Sequence, residues 1–181
     1  MNNERDNIGR IQQVSALLRQ LFSGLIVVIP VITLTYWLFF NSLPEGLIVG
    51  LPVAVNQPLP LQTLLIAMLV SLLPMAVAIY GVVNLRGLFS LYERAIIFSE
   101  HNVNYFRRLG YALIMWVAAN FLFVVMISIA LTFNNAPGER LVVAEFDVSD
   151  ALTLIIAAVI LLISWVMKEG ARLKDEQAYT V

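Results

Sequence analysis

The sequence predicts an all-α membrane protein whose four transmembrane helices form one up-and-down bundle over residues 1–181. Three observations favour this fold class. Of the 181 residues, 60% are hydrophobic and only 13% are charged, about half the charged share of a water-soluble domain. Mean hydropathy is +0.86. Four apolar stretches have the length needed to cross ~30 Å of hydrocarbon, and each is expected to be helical because lipid cannot satisfy a free backbone amide.

The charge balance and the rare residue types argue against several function classes. Eleven Lys and Arg against twelve Asp and Glu give a net charge of −1, so no overall basic field would attract nucleic acid directly. The chain has no cysteine, which excludes disulfides and thiolate metal sites. Its one histidine leaves almost no material for a zinc centre or a His-based catalytic triad. We therefore expect no enzyme activity, no cofactor and no metal site.

The limits of the apolar runs define the four spans. They are predicted at residues 21–40, 61–83, 109–133 and 151–167. The first apolar run is too long for a cleaved signal peptide and no small-residue cleavage site follows it, so we interpret it as an uncleaved signal anchor. Pro30 and Pro74 lie inside the first two spans, where a kink is expected.

Basic residues near the spans predict the orientation, because they are retained on the cytoplasmic side. Ten of the eleven lie in the two termini and the second connection: Arg5, Arg10, Arg19, Arg86, Arg94, Arg107, Arg108, Lys168, Arg172 and Lys174. Arg140 alone lies in an outer connection. Both termini of this multi-pass chain are therefore predicted to be in the cytoplasm.

The two outer connections contain short runs that are rich in β-branched residues. Residues 46–55 and 140–148 are predicted to pair as a small antiparallel β ribbon outside the cytoplasm. Pro52 would confine the first strand to an edge or a bend. Ser149 or Asp150 is expected to cap the fourth helix.

The second connection, residues 84–110, is longer than an ordinary loop. Its apolar residues at i, i+3, i+4 and i+7 continue the second helix beyond the bilayer: Leu85, Leu88, Phe89 and Tyr92. Ser99 is placed to cap the next helix, with Glu100 in its first turn. The connection is therefore predicted to be a helical hairpin in the cytoplasm, and it is the best candidate for a partner surface.

Isolated polar residues give weaker signals. Asn120 lies near the middle of the third span, and we interpret it as a hydrogen-bonding partner for a neighbouring helix rather than a substrate ligand. His101 has no second histidine and no cysteine nearby, so we expect no metal there.

Three segments carry a resemblance to a known family: RIQQVSALLRQL at residues 10–21, LYERAIIFSEHNVNYFRRLG at 91–110 and EGARLKDEQAYTV at 169–181. Together they resemble the bacterial membrane-protein family catalogued as domain of unknown function 2975. The resemblance implies a four-helix protein of the bacterial inner membrane, without an assigned activity, whose gene often neighbours a small helix-turn-helix regulator. Where this chain has Ala95, the family often has a small residue or glycine.

The leading hypothesis is a non-enzymatic sensor or regulatory protein that docks a cytoplasmic partner, for which the resemblance implies the small helix-turn-helix regulator. The expected partner-binding residues are Tyr92, Arg94, Asn102, Tyr105, Arg108 and Glu176. One alternative is a homo-oligomeric transporter or channel subunit in which Asn120 lines a path. Another is a sensor of lipid or apolar ligands.

Overall fold

Four long α-helices make up most of the computed structural model, which describes residues 2–48, 50–55, 58–97, 99–136 and 138–178. The helices are α1 (Asn2–Leu38), α2 (Leu61–Glu93), α3 (Glu100–Thr132) and α4 (Val148–Ala178). Two short 3-10 turns, Phe40–Ser42 and Glu45–Leu47, follow α1. The helices are longer than the apolar runs, and the excess lies mainly at the end of the molecule that carries the chain termini.

All four helices are long and apolar enough to cross a membrane, as the four predicted spans of a multi-pass protein require. Large apolar side chains face outward along them, for example Leu69 on α2 and Trp165 on α4. In water this surface would be unfavourable, and in lipid it is the expected one. Both α1 and α2 continue through their prolines, Pro30 and Pro74.

Neighbouring helices pack antiparallel. Near the middle of α1, the Phe22 ring stacks on Phe89 near the end of α2 at a centroid distance of 5.5 Å. Near the end of α1, Trp37 donates its indole N–H to the Ser71 hydroxyl at 2.7 Å. The up-and-down order follows from such pairs.

The helices form an open row rather than a closed bundle. Each of α1, α2 and α3 packs extensively on the next helix in the chain, whereas the described parts of α1 and α4 have no comparable interface. The physical reason is that lipid tails are as apolar as the side chains they meet, so no hydrophobic force closes the bundle.

The buried core lies at the end of the row opposite the chain termini, where the connection between α1 and α2 folds over α1, α2 and α3. Trp37 and Phe40 stack there at 5.2 Å, and Val53 of the connection is buried with them. Asn41 fixes the end of this connection, since its amide donates to the Leu59 carbonyl at 2.9 Å and accepts the Leu59 N–H at 2.8 Å.

The predicted β ribbon is wrong. The described residues of 46–55 and 140–148 form no strand. Instead, two backbone N–H groups of the second segment donate hydrogen bonds to hydroxyls of α3. Thr132 Oγ1 accepts the Leu141 N–H at 3.0 Å, and Ser128 Oγ accepts the Val143 N–H at 3.0 Å. The backbone groups that a ribbon would have paired are thus bonded to a helix.

The cap of α4 differs by a few residues from the prediction of Ser149 or Asp150. Asp147 Oδ1 accepts the N–H groups of Ser149 at 2.7 Å and Asp150 at 3.0 Å, while Asp150 Oδ2 accepts the Asp147 N–H at 3.2 Å. This reciprocal pair is a capping box. Hydrogen bonds, first of all from the Ser149 hydroxyl, hold the pKa of Asp147 below its ordinary value.

Small residues bring the helices together. A Cβ placed on Gly110 of α3 would lie 2.6 Å from the Leu161 side chain and 3.3 Å from the Ala157 carbonyl of α4. Ala157 is 0% exposed. The closest approach of these two backbones therefore depends on Gly110, as in other membrane helix pairs.

Replacing Gly110 with leucine is expected to separate α3 from α4 and to lower the free energy of unfolding by about 1–3 kcal/mol. The matched control is Gly24→Leu, because Gly24 has open space around it. Unfolding in mixed detergent and SDS micelles, followed by circular dichroism, measures both. Equal stability of the two variants would show that Gly110 does not set the packing.

Candidate functional site

The α2–α3 corner, residues 84–110, projects beyond the apolar spans. Residues 84–93 of α2 are helical and add about 15 Å to the helix. A headgroup layer is about 6 Å thick on each side of the hydrocarbon. The corner therefore reaches past the headgroups into water if α2 stands close to the membrane normal.

The end of α2 is closed by a Schellman motif. Ala95 N–H donates to the Tyr92 carbonyl and Ile96 N–H to the Leu91 carbonyl, both at 3.0 Å. Ala95 lies in the left-handed region, with φ of 57°, a conformation that usually selects glycine. Its position matches the place where the sequence resemblance implies a small residue or glycine.

Asn102, in the first turn of α3, stabilises the same turn with its side chain. Its side-chain amide donates to the carbonyls of Ile96 at 2.9 Å and Ile97 at 2.5 Å. The Ser99 hydroxyl caps α3 by accepting the Asn102 N–H, which confirms the predicted cap. Asn102 is 0% exposed, so the corner has one buried amide at its centre.

Two further contacts hold the arms of the corner. The Tyr105 ring of α3 lies directly on Gly87 of α2, where a Cβ would be 2.5 Å from the ring. At the end of α2, Arg19 of α1 forms an ion pair with Glu93, with Nε and Oε2 2.7 Å apart. The middle of α1 is thereby attached to the corner.

A cavity of about 360 Å³ lies at the opposite end between α1, α2 and α3. We call it the outer cavity, because the basic residues predict this end to be the outer one. Aromatic and apolar side chains line it, with Tyr36, Thr33 and Ser71 as the polar exceptions. The Tyr36 hydroxyl is buried and has no partner among the described residues. Pro74 lies in the wall.

Across the described residues, no group of three or more His, Asp or Glu side chains could hold a metal ion.

A sequence model for the family described as "Protein of unknown function (DUF2975)" matches residues 20–181. The chain belongs to this family. Neither the curated proteins nor the solved structures include a match to this chain. Family membership confirms the resemblance seen in the sequence and assigns no activity.

In this DUF2975 protein the predicted partner-binding residues fall into three environments. Arg94 and Arg108 are exposed. Tyr92 and Tyr105 are half-buried, and the Tyr92 ring stands edge-on to Phe89 at 5.9 Å. Asn102 is fully enclosed, so it shapes the corner and offers no surface to a partner.

The remaining predicted residues lie apart from the corner. The Glu176 side chain falls outside the described part of α4. Asn120 is half-buried on α3, between Trp116 and Phe123 of the outer cavity. Three small residues of α3, Ala112, Ala119 and Ala130, are buried, whereas Ala118 is exposed.

Sequence reasoning missed three residues of the DUF2975 corner. Arg19 was assigned only to the positive flank, and its partner Glu93 lies 74 positions away. Nothing in the local pattern of either residue signals the pair. Gly87 gave a usable signal, because a glycine inside an amphipathic helix often marks a close approach.

Replacing Ala95 with glycine is expected to stabilise the corner by about 1 kcal/mol, because a left-handed alanine costs more than a left-handed glycine. Thermal unfolding in detergent micelles checks this. Ala144→Gly, in an exposed irregular segment, is the control and should give no gain. A loss of stability in Ala95→Gly would contradict the left-handed turn.

Proposed function

We propose that this DUF2975 protein is a non-enzymatic sensor of the bacterial inner membrane that docks a regulatory protein through its α2–α3 corner. The observation that carries the proposal is the corner itself. Two long helices continue past their apolar spans and are joined by a turn with defined caps. A loop that only returned the chain across the bilayer would need neither the length nor the buried amide of Asn102.

The exposed side chains of the corner fit recognition of a protein. Arg94, His101, Arg107 and Arg108 face solvent, and Glu100 lies beside them at the start of α3. Mixed charges fix the register of a partner and suppress wrong partners. A purely basic patch would favour only a lipid surface.

The proposed cytoplasmic location rests on the distribution of basic residues. The antiparallel row gathers the N-terminal part of α1, the corner and the C-terminal part of α4 at one end. These three segments hold ten of the eleven basic residues. By the positive-inside rule this end, with both chain termini, faces the cytoplasm.

The outer cavity is the proposed input of the sensor. Its size and apolar lining suit a small apolar molecule or a single lipid chain, and the unpartnered Tyr36 hydroxyl would accept or donate one hydrogen bond. Because α2 and α3 form both the cavity wall and the corner, occupancy of one can alter the other.

The alternative of a transporter or channel subunit has less support. None of the predicted spans contains a charged residue of the kind that marks an ion or proton path. Between the outer cavity and the corner, α2 and α3 pack closely: a Cβ on Gly81 would lie 3.9 Å from that of Ala112, which is buried. The geometry therefore favours binding at two ends over passage between them.

Docking is tested with a photo-crosslinking amino acid at position 101, in bacteria that express the full chain. We expect one discrete protein adduct whose yield falls about fivefold with Arg108→Glu, since reversed charge opposes a complementary surface. Arg140→Glu, at the other end, should leave the yield unchanged.

A crosslinker at Leu69, a lipid-facing residue, controls for random collisions and should give no such adduct. The docking proposal fails if position 101 captures only copies of the same chain. It also fails if the yield is equal at 69 and 101.

The input is tested by filling the outer cavity. Ala78 lines it, and Ala78→Phe should occupy the space and change the adduct yield at position 101 at least twofold. Ala118→Phe adds the same ring at an exposed site of α3 and should have no effect. Identical yields in both variants would separate the cavity from the docking function.

A further inference from the structure

A second cavity, of about 390 Å³, lies between α1, α2 and α3 at the end that carries the basic residues. We call it the arginine cavity. Its lining is Arg19, Val83, Arg86, Gly87, Ser90, Leu91, Arg94 and Tyr105. Two of its residues, Arg94 and Tyr105, are also predicted partner-binding residues, whereas Arg19, Arg86 and Ser90 are not used by the docking proposal.

The arginine cavity has a strong excess of positive charge. Three arginines line it. One of them, Arg19, is neutralised by its ion pair with Glu93. Among the described residues Arg86 and Arg94 make no ion pair, and no carboxylate belongs to the lining. A site with two free guanidinium groups selects an anion, and their planar donors match the oxygens of a phosphate.

The donors are arranged along one face of α2. Arg86, Ser90 and Arg94 follow one another at intervals of four residues, which places them on a common face over about 12 Å. The Tyr105 ring, seated on Gly87, faces the same space from α3. Hydroxyl and guanidinium donors thus surround a volume that accommodates a phosphodiester group.

The position of the arginine cavity indicates where the phosphate comes from. Val83 is 45% exposed and ends the apolar run of α2, so one side of the cavity borders lipid while Arg94 borders water. An anionic group held there would lie at headgroup depth. We propose that the arginine cavity binds the phosphate group of an anionic phospholipid.

The test uses the purified full-length chain in detergent, mixed with equal amounts of phosphatidylglycerol and phosphatidylcholine with the same acyl chains. Native mass spectrometry measures which lipid is retained. We expect the wild type to prefer phosphatidylglycerol about tenfold. The double variant Arg86→Gln with Arg94→Gln should lose this preference.

The control removes equal charge outside the cavity. Arg107 and Arg108 are exposed on α3, and Arg107→Gln with Arg108→Gln should keep the preference. If it is lost there as well, the basic end acts only as a diffuse field and the proposal fails. If inorganic phosphate at the lipid concentration displaces phosphatidylglycerol from the wild type, the site takes free phosphate, and the lipid proposal fails.

Two further measurements keep the result interpretable. Thermal unfolding with phosphatidylcholine alone shows whether the glutamine variant folds, and if it does not, the lysine pair Arg86→Lys with Arg94→Lys decides, because it should retain part of the preference. Crosslinking at position 101 in the single variant Arg86→Gln separates this proposal from docking, because Arg86 belongs to the arginine cavity and not to the predicted docking residues. A chain that loses its lipid and keeps its adduct supports two independent sites.

Discussion

The structure depends on the inability of lipid to press apolar helices together. In a membrane the side chains of α1 to α4 meet tails as apolar as themselves, so packing requires close backbone approach or a polar contact. Both devices are present. Gly110 lets α3 meet α4, Gly87 lets the Tyr105 ring lie on α2, and the Trp37 indole bonds to Ser71. The described parts of α1 and α4 have neither kind of contact with each other, and these two helices form no extensive interface.

This constraint also explains why the two cavities lie where they do. Each is a gap between the same three helices, and between the two gaps the buried Ala112 of α3 packs against Gly81 of α2. The outer gap has apolar walls and a few hydroxyls, and the inner gap has arginines. One helix therefore lines an apolar site and an anion site, and their chemistry differs because of the residues at its two ends.

The spans could be predicted from hydropathy because the lipid requirement acts on every residue of a run. The start of α2 at Leu61 and the cap at Ser99 followed from local signals. The prediction of a β ribbon was wrong because the hydroxyls of Ser128 and Thr132 bond to the 140–148 segment. Such a tertiary contact leaves no signal in the local sequence. Burial of Asn102 was equally hidden, since a polar residue in a connection is ordinarily exposed.

The continuity of α2 has a mechanical consequence. From Pro74 in the wall of the outer cavity to Glu93 at the corner, the helix runs for about 28 Å without a break. As a stiff lever with its pivot at the proline, it would convert a tilt of about 5° into a displacement of about 2.5 Å at the far end. Because Glu93 is paired with Arg19, the same displacement would be transmitted to α1.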